Sequence, residues 1–268
     1  MAHALLLAGL GLYALFPVYW AVVSSLRTGS ALFEVSLWPR TPAWQNYAMA
    51  LATPSFGRSI VNSALVAGAV AALSLVLGLT AAYALGRLEF RGRKALLFAV
   101  LGVSMFPQIA VLSGMFELVR ALGLYNRLPA LVLADLILTL PFTVWVLTSF
   151  MRELPAELEE AALVDGAPPR VIAFRIFWPL VGPGLAATGL LAFIAAWNEL
   201  LFGLTFAQSD HVRTVPVAMT LFSGGSAFES PWGVIMAAAV IVTAPIIGLV
   251  LVAQRWIVSG LTAGAVKG

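Results

Sequence analysis

The chain has 268 residues, of which 61% are hydrophobic and only 10% charged, with 15 Lys and Arg against 12 Asp and Glu. A soluble domain carries about 45–50% apolar and about 25% charged residues, so this balance excludes a single water-soluble core. Cysteine is absent and the only histidines are His3 and His211, which excludes a disulfide frame and gives no metal site, while a net charge of +3 reads as loop bias and not as nucleic-acid binding.

A helix crossing a hydrocarbon core needs about 20 mainly apolar residues. Six runs meet that length, so the expectation is an all-α polytopic membrane protein. The first, about 4–26, has no Asp, Glu, Lys or Arg. It lacks a basic start and exceeds the roughly 7–15 apolar residues of a signal-peptide core, so it reads as a true first span. A long loop, about 27–58, follows. Its "LWPRTPAWQNYAMAL" has helix-breaking prolines, then a short amphipathic segment from Trp44 with aromatics suited to a membrane interface. The second run, 59–86, is uncharged and ends at "RLEFRGRK", which gathers Arg87, Arg91, Arg93 and Lys94.

The third run, about 95–117, is interrupted by Pro107. The fourth, about 128–150, holds Asp135 and Pro141. A polar loop, 151–176, separates it from the fifth, about 177–207, which holds Glu199. The sixth, about 231–256, contains Pro245 and leads to a small, nearly uncharged tail, 258–268. No fixed-period repeat divides the chain, so 1–268 is expected to be one transmembrane domain in contact with lipid. Six spans put both termini on one side. The positive-inside rule makes that side cytoplasmic, with nine Lys and Arg on it against six opposite.

The loop 151–176 gathers five of the twelve acids: Glu153, Glu157, Glu159, Glu160 and Asp165. Pro155 fits a first helical turn, Ala156–Val164 are mostly good helix formers, and Gly166 fits a stop with positive φ. The prolines Pro168 and Pro169 then allow a second helix, "RVIAFRIFWPLV". On the first helix Glu157 and Glu160 share an acidic face near Glu153. Leu158, Ala161 and Ala162 offer small apolar surface beside it, suited to a groove on a partner. A solvated loop kept soluble by its acids fits the same residues.

"EAALVDG", then "APPRVIAFRI" and "FWP", resembles the EAA loop of the permease subunits of ATP-binding-cassette importers. Glu160, Ala161, Ala162, Gly166, Ile176 and Pro179 keep the spacing of that pattern, with Trp178 where the family usually has Leu. Asn46–Tyr47, Trp197–Glu199 and the tail "AQRWIVSGLTAGAVKG" narrow the resemblance to carbohydrate-importer permeases of the maltose/trehalose type. The resemblance implies that the 151–176 helix is a coupling helix seated on an ATP-binding subunit through Glu160, Ala161, Ala162, Asp165 and Gly166. It also implies a tail that reaches the ATPases through Gly264, Lys267 and Gly268. The implied partners are a second permease subunit, two ATP-binding subunits and an extracytoplasmic sugar-binding protein. The implied location is a bacterial or archaeal cytoplasmic (inner) membrane.

No enzyme is expected in the chain itself. A P-loop needs a lysine after a glycine-rich run, and the only lysines, Lys94 and Lys267, lack that context. ATP and Mg belong to the partner subunits, and no cofactor is expected here. Within the spans, charged groups are costly, so Asp135 and Glu199 are expected to face the bundle interior or a water-filled path. Trp197, Asn198 and Glu199 offer a ring and two hydrogen-bonding groups, a combination suited to a sugar; Gln108, after the Pro107 break, is a further path candidate. Helix–helix hydrogen bonds explain the same residues. An ion-coupled carrier using Asp135 and Glu199 as a titrating pair is the alternative, and an intramembrane hydrolase using those acids is a third reading.

Overall fold

A computed structural model of the chain describes residues 2–222 and 231–265, with side chains described over 3–222 and 231–254. Every helix and turn among them is built without a strand. The helices are α1 (Ala2–Ser25), α2 (Gln45–Ala52), α3 (Phe56–Arg87), α4 (Arg93–Ser104), α5 (Gln108–Ala121) and α6 (Leu128–Glu153). A short helix α7 (Glu157–Val164) precedes α8 (Pro169–Leu180), α9 (Gly182–Trp197), α10 (Leu201–Phe206), α11 (Val215–Thr220) and α12 (Trp232–Ala265). Four of these, α1, α3, α6 and α12, are long and apolar enough to cross a membrane alone.

The other two apolar runs are bent. The α4 and α5 axes meet at 96° and those of α8 and α9 at 85°, so the count is six if each pair is one span. The first bend falls at Met105–Pro107, where Pro107 is extended (ψ 131°) and brings no N–H to continue the ladder. The second falls at Val181, just before Gly182 and Pro183 open α9. By contrast, Pro17, Pro141 and Pro245 lie inside unbroken helices.

The core is a seam between α3 and α6, crossed by α9, with α12 against α9 and α1 outermost on α12. Small and hydroxylated residues let the α3 and α6 backbones approach. Ser74 Oγ and Thr139 Oγ1 share a hydrogen bond of 2.9 Å, and Gly78 faces Thr143, whose Cγ2 would stand 2.7 Å from any added Cβ. Threonines 139, 143 and 148 return their hydroxyls to carbonyls four residues back, so they cross the apolar core with no bare donor.

One end of the bundle holds residues 26–58, 122–127 and 207–222, tied by buried amides. Asn46 donates to the carbonyls of Ser25 (2.8 Å) and Arg27 (2.9 Å), and Tyr47 shares a hydrogen bond with Ser25. Asn126, itself at φ 58°, accepts from Gln208 N, Ser209 N and Ser209 Oγ. Asn62 donates to the carbonyls of His211 and Arg213. The opposite end holds residues 88–92, α7 and the start of α8.

Candidate functional site

At that second end the chain turns sharply twice. Leu154 is extended and ends α6, and Glu159 N and Glu160 N bond the carbonyl of Ala156 to open α7. Glu157, Glu159 and Glu160 occupy its first turn, where the unpaired amides of a helix N-terminus favour negative charge. Gly166, at φ +73°, stops the helix. Gly166 N bonds the carbonyl of Leu163 (3.0 Å) and Ala167 N that of Ala162 (2.9 Å), the paired closure of a left-handed helix terminus.

This turn sorts the side chains. Glu157, Glu160, Ala161 and Asp165 are exposed, together with Leu163 and the 88%-exposed Val164. Ala162 points the other way: it is 6% exposed and lies in a core with Leu79, Tyr83, Met151, Ile172, Ala173 and Phe177. The small face expected from Leu158, Ala161 and Ala162 is thus divided, because a two-turn helix must bury one stripe to be held at all. Leu158 stays on the exposed side as expected, and Leu163 and Val164 add exposed apolar surface that spacing alone did not single out. Glu159 faces inward and meets Arg87, Nε to Oε2 at 3.0 Å.

Within the bundle, Glu199 occupies the break between α9 and α10. It is 9% exposed; Oε1 accepts from Gln108 Nε2 (2.7 Å) and Phe202 N (2.8 Å), and Oε2 from Gly203 N (3.0 Å). The carboxylate therefore satisfies amides freed by the break, as an apolar medium requires. Gln108, just past the bend at Pro107, and Glu199 are brought together across 91 positions of sequence. Trp197 is 3% exposed and stacks on Phe193, with ring centroids 5.6 Å apart. Asn198 is exposed, and its Nδ2 donates to the carbonyl of Ile194. Trp197, Asn198 and Glu199 hence do not present one surface, since the helix ends at Trp197 and each side chain leaves in its own direction. Asp135 is 1% exposed, and its Oδ1 has no hydrogen-bond partner among the described residues.

No group of three or more His, Cys, Asp and Glu able to hold a metal occurs among the described residues. In the tail, Gly264 lies in the last turn of α12, whereas Lys267 and Gly268 lie outside the described residues.

A chain with two bent spans, a short acidic helix closed by Gly166 and an inward-facing polar break matches a known family: the binding-protein-dependent transport system inner membrane component, over residues 74–263. The chain belongs to this family. It is 41% identical over 256 residues to the trehalose transport system permease protein SugB of Mycobacterium tuberculosis (strain CDC 1551 / Oshkosh), covering 96% of this chain and 93% of that protein. It is 40% identical over 261 residues to the trehalose/maltose transport system permease protein MalG of Thermococcus litoralis (strain ATCC 51850 / DSM 5473 / JCM 8560 / NS-C), covering 97% and 94%. The same fold occurs in the crystal structure of a bacterial ABC transporter involved in the import of the acidic polysaccharide alginate. There the TM-score is 0.81 at 24% identity, over 95% of this chain and 94% of that one. As an inner-membrane transport component, the chain keeps its polar groups where such a fold breaks its helices, and its acids where it leaves the bundle.

Proposed function

We propose that the chain is the permease subunit of an ATP-binding-cassette importer for a sugar of the trehalose or maltose class. It forms half of a translocation path that a second permease subunit completes. One observation carries this reading. α7 presents Glu157, Glu160 and Asp165 with Leu163 and Val164 on its outward side, and Gly166 closes it at the spacing of the EAA loop. That is a charged, partly apolar knob of the kind a cleft in an ATP-binding subunit takes, with Glu160 accepting a charge-assisted hydrogen bond.

ATP and Mg are held and hydrolysed in the partner subunits. ATP binding there favours one arrangement of the bundle over the other through α7, a differential-affinity coupling. An extracytoplasmic binding protein delivers the sugar to the end that carries residues 27–58. Both termini and α7 are cytoplasmic, and the tail, with Gly264, Lys267 and Gly268, adds a second ATPase contact. The relatives' names support the sugar class. Asn198 and Gln108 are the polar path groups with surface to offer, while Trp197, Glu199 and Asp135 shape the wall behind them. Nothing in that arrangement favours an ion-coupled carrier, because both oxygens of Glu199 already accept hydrogen bonds.

The test is purification of the tagged chain in mild detergent, with mass identification of what accompanies it. A P-loop ATPase and a second multi-span permease are expected. A chain that purifies alone and transports after reconstitution would sink the proposal. With the assembled complex and its binding protein in liposomes, radiolabelled trehalose or maltose should accumulate only when ATP is enclosed.

A further inference from the structure

Arg87 ends α3, and by sequence it belongs to the basic cluster that orients the chain. Its position is different. The side chain is 9% exposed and meets four residues, in the α6–α7 link, α7 and α8. Its Nη1 donates to the carbonyl of Leu154 (3.0 Å) and its Nη2 to that of Pro155 (2.8 Å), gripping both residues that join α6 to α7. Nε lies 3.0 Å from Glu159 Oε2 without an aligned N–H, so this contact is an ion pair and not a hydrogen bond. Cζ stands 5.0 Å over the ring of Phe177 in α8. Tyr83, one turn back on α3, donates to the other Glu159 oxygen at 2.9 Å, and its ring tilts against Phe177 at 5.9 Å.

Glu159 therefore has its two oxygens held by two residues of the same helix, four positions apart. α8 is locally widened here: residues Ile172–Phe177 form π turns, and Ile172, Ala173 and Phe177 are buried under Ala162 and Tyr83. Widened turns recur at functional positions because they add a residue without breaking a helix. The short α7 has no long partner of its own. What fixes it to the bundle is the buried stripe at Ala162 and this cluster.

We infer that Arg87, with Tyr83 and Glu159, is a positioning residue that makes α7 and the membrane end of α3 move as one body. It carries displacement of the α7 knob into the α3–α6 core. Coupling between separate sites travels through contiguous packed and hydrogen-bonded groups, and beside the apolar packing of Ala162 this cluster supplies the polar connection from the acidic helix to α3. The inference rests on α7 being the seat of the ATP-binding subunits. It separates the acids by role: Glu157 and Glu160 face outward, and Glu159 faces the bundle. Lysine in place of Arg87 cannot serve, because one ammonium cannot reach two carbonyls, a carboxylate and a ring in a fixed fork.

The experiment uses the assembled complex, purified through a tag on this chain and placed in lipid nanodiscs. Hydrogen–deuterium exchange is followed in residues 80–87 and 157–164, with and without Mg and a non-hydrolysable ATP analogue. In the wild type, nucleotide is expected to change exchange in both segments. In Glu159→Gln, Arg87→Lys and Tyr83→Phe the ATP-binding subunits should still co-purify and the change in 157–164 should remain, while the change in 80–87 is lost. A purely structural role would lower yield or thermal stability and leave the two segments responding together. Persistence of the 80–87 response in Glu159→Gln and Arg87→Lys, or its absence in the wild type, would overturn the inference and leave the docking of α7 standing. A wild-type complex that holds no ATP-binding subunit would overturn both, and is told apart at the purification step.

Discussion

Gly166 shows how a single backbone angle decides what a helix can present. At φ +73° an L side chain is strained by about 1–2 kcal/mol, and more so when β-branched. Gly166→Val is therefore expected to insert at wild-type levels but to lose ATP-binding subunits on co-purification, and with them most uptake. Gly166→Asn, which tolerates this conformation, should retain both. Normal uptake in Gly166→Val would remove the turn from the account. Asn46 carries a different cost. Its amide is the shared donor for two buried carbonyls, Ser25 and Arg27, so Asn46→Ala leaves both short of a partner at about 1–3 kcal/mol. The expected result is a lower thermal midpoint of the purified protein with α7 docking unaffected, because the two ends of the bundle share no hydrogen bond through this residue.

Helices in this chain are matched to one another by small surfaces and not by hydrophobic drive, since lipid is as apolar as leucine. The α3–α6 seam makes the point testable. Gly78→Ala would place a methyl group 2.7 Å from Thr143 Cγ2 and push the two helices apart, an overpacking cost of about 1–3 kcal/mol. Adding Thr143→Ser removes that methyl and keeps the hydroxyl that bonds the carbonyl of Thr139. The double variant should recover stability toward denaturing detergent; a sum of two independent losses would show that the seam is not where the helices are held. Where a helix breaks, the same economy appears in reverse. At the α9–α10 break the chain frees backbone amides, and Glu199 accepts those of Phe202 and Gly203 while Gln108, just past the α4–α5 bend, donates to the same carboxylate.

At the scale of the whole chain, orientation rests on charge alone, a difference of nine basic residues against six. The absence of cysteine gives a clean background for measuring it. In intact cells a membrane-impermeant maleimide should label Thr41→Cys, exposed in the long loop after α1, and should label Arg91→Cys only after permeabilisation. Labelling in the opposite order would invert the topology and leave α7 on the wrong side for a cytoplasmic ATPase. The bundle leaves the apolar stretch of α1 exposed over most of its length, with Leu12 at 74% and Tyr13 at 82%. In a membrane this is the ordinary outer surface of a span, and it needs no water-facing counterpart.

Six apolar runs, the all-α class and the short helix stopped at Gly166 were legible from residue type and spacing, because length against bilayer thickness and glycine's backbone freedom are local properties. So was the family, since its loop pattern is a matter of spacing. The bends were only half legible: Pro107 breaks its run while Pro141 and Pro245 do not, and residue type alone does not tell the three apart. The roles of the polar residues were the least legible. Glu199 reads as a charge looking for water or substrate, yet two backbone amides and Gln108 already hold it. Arg87 reads as one of four basic loop residues, yet this half-buried residue is held against Leu154, Pro155, Glu159 and Phe177. A sequence states which groups a chain has and how far apart they are along it. Which group meets which depends on where helices cross, and only the tertiary structure sets that, because partners 67 to 91 residues apart leave no local signal.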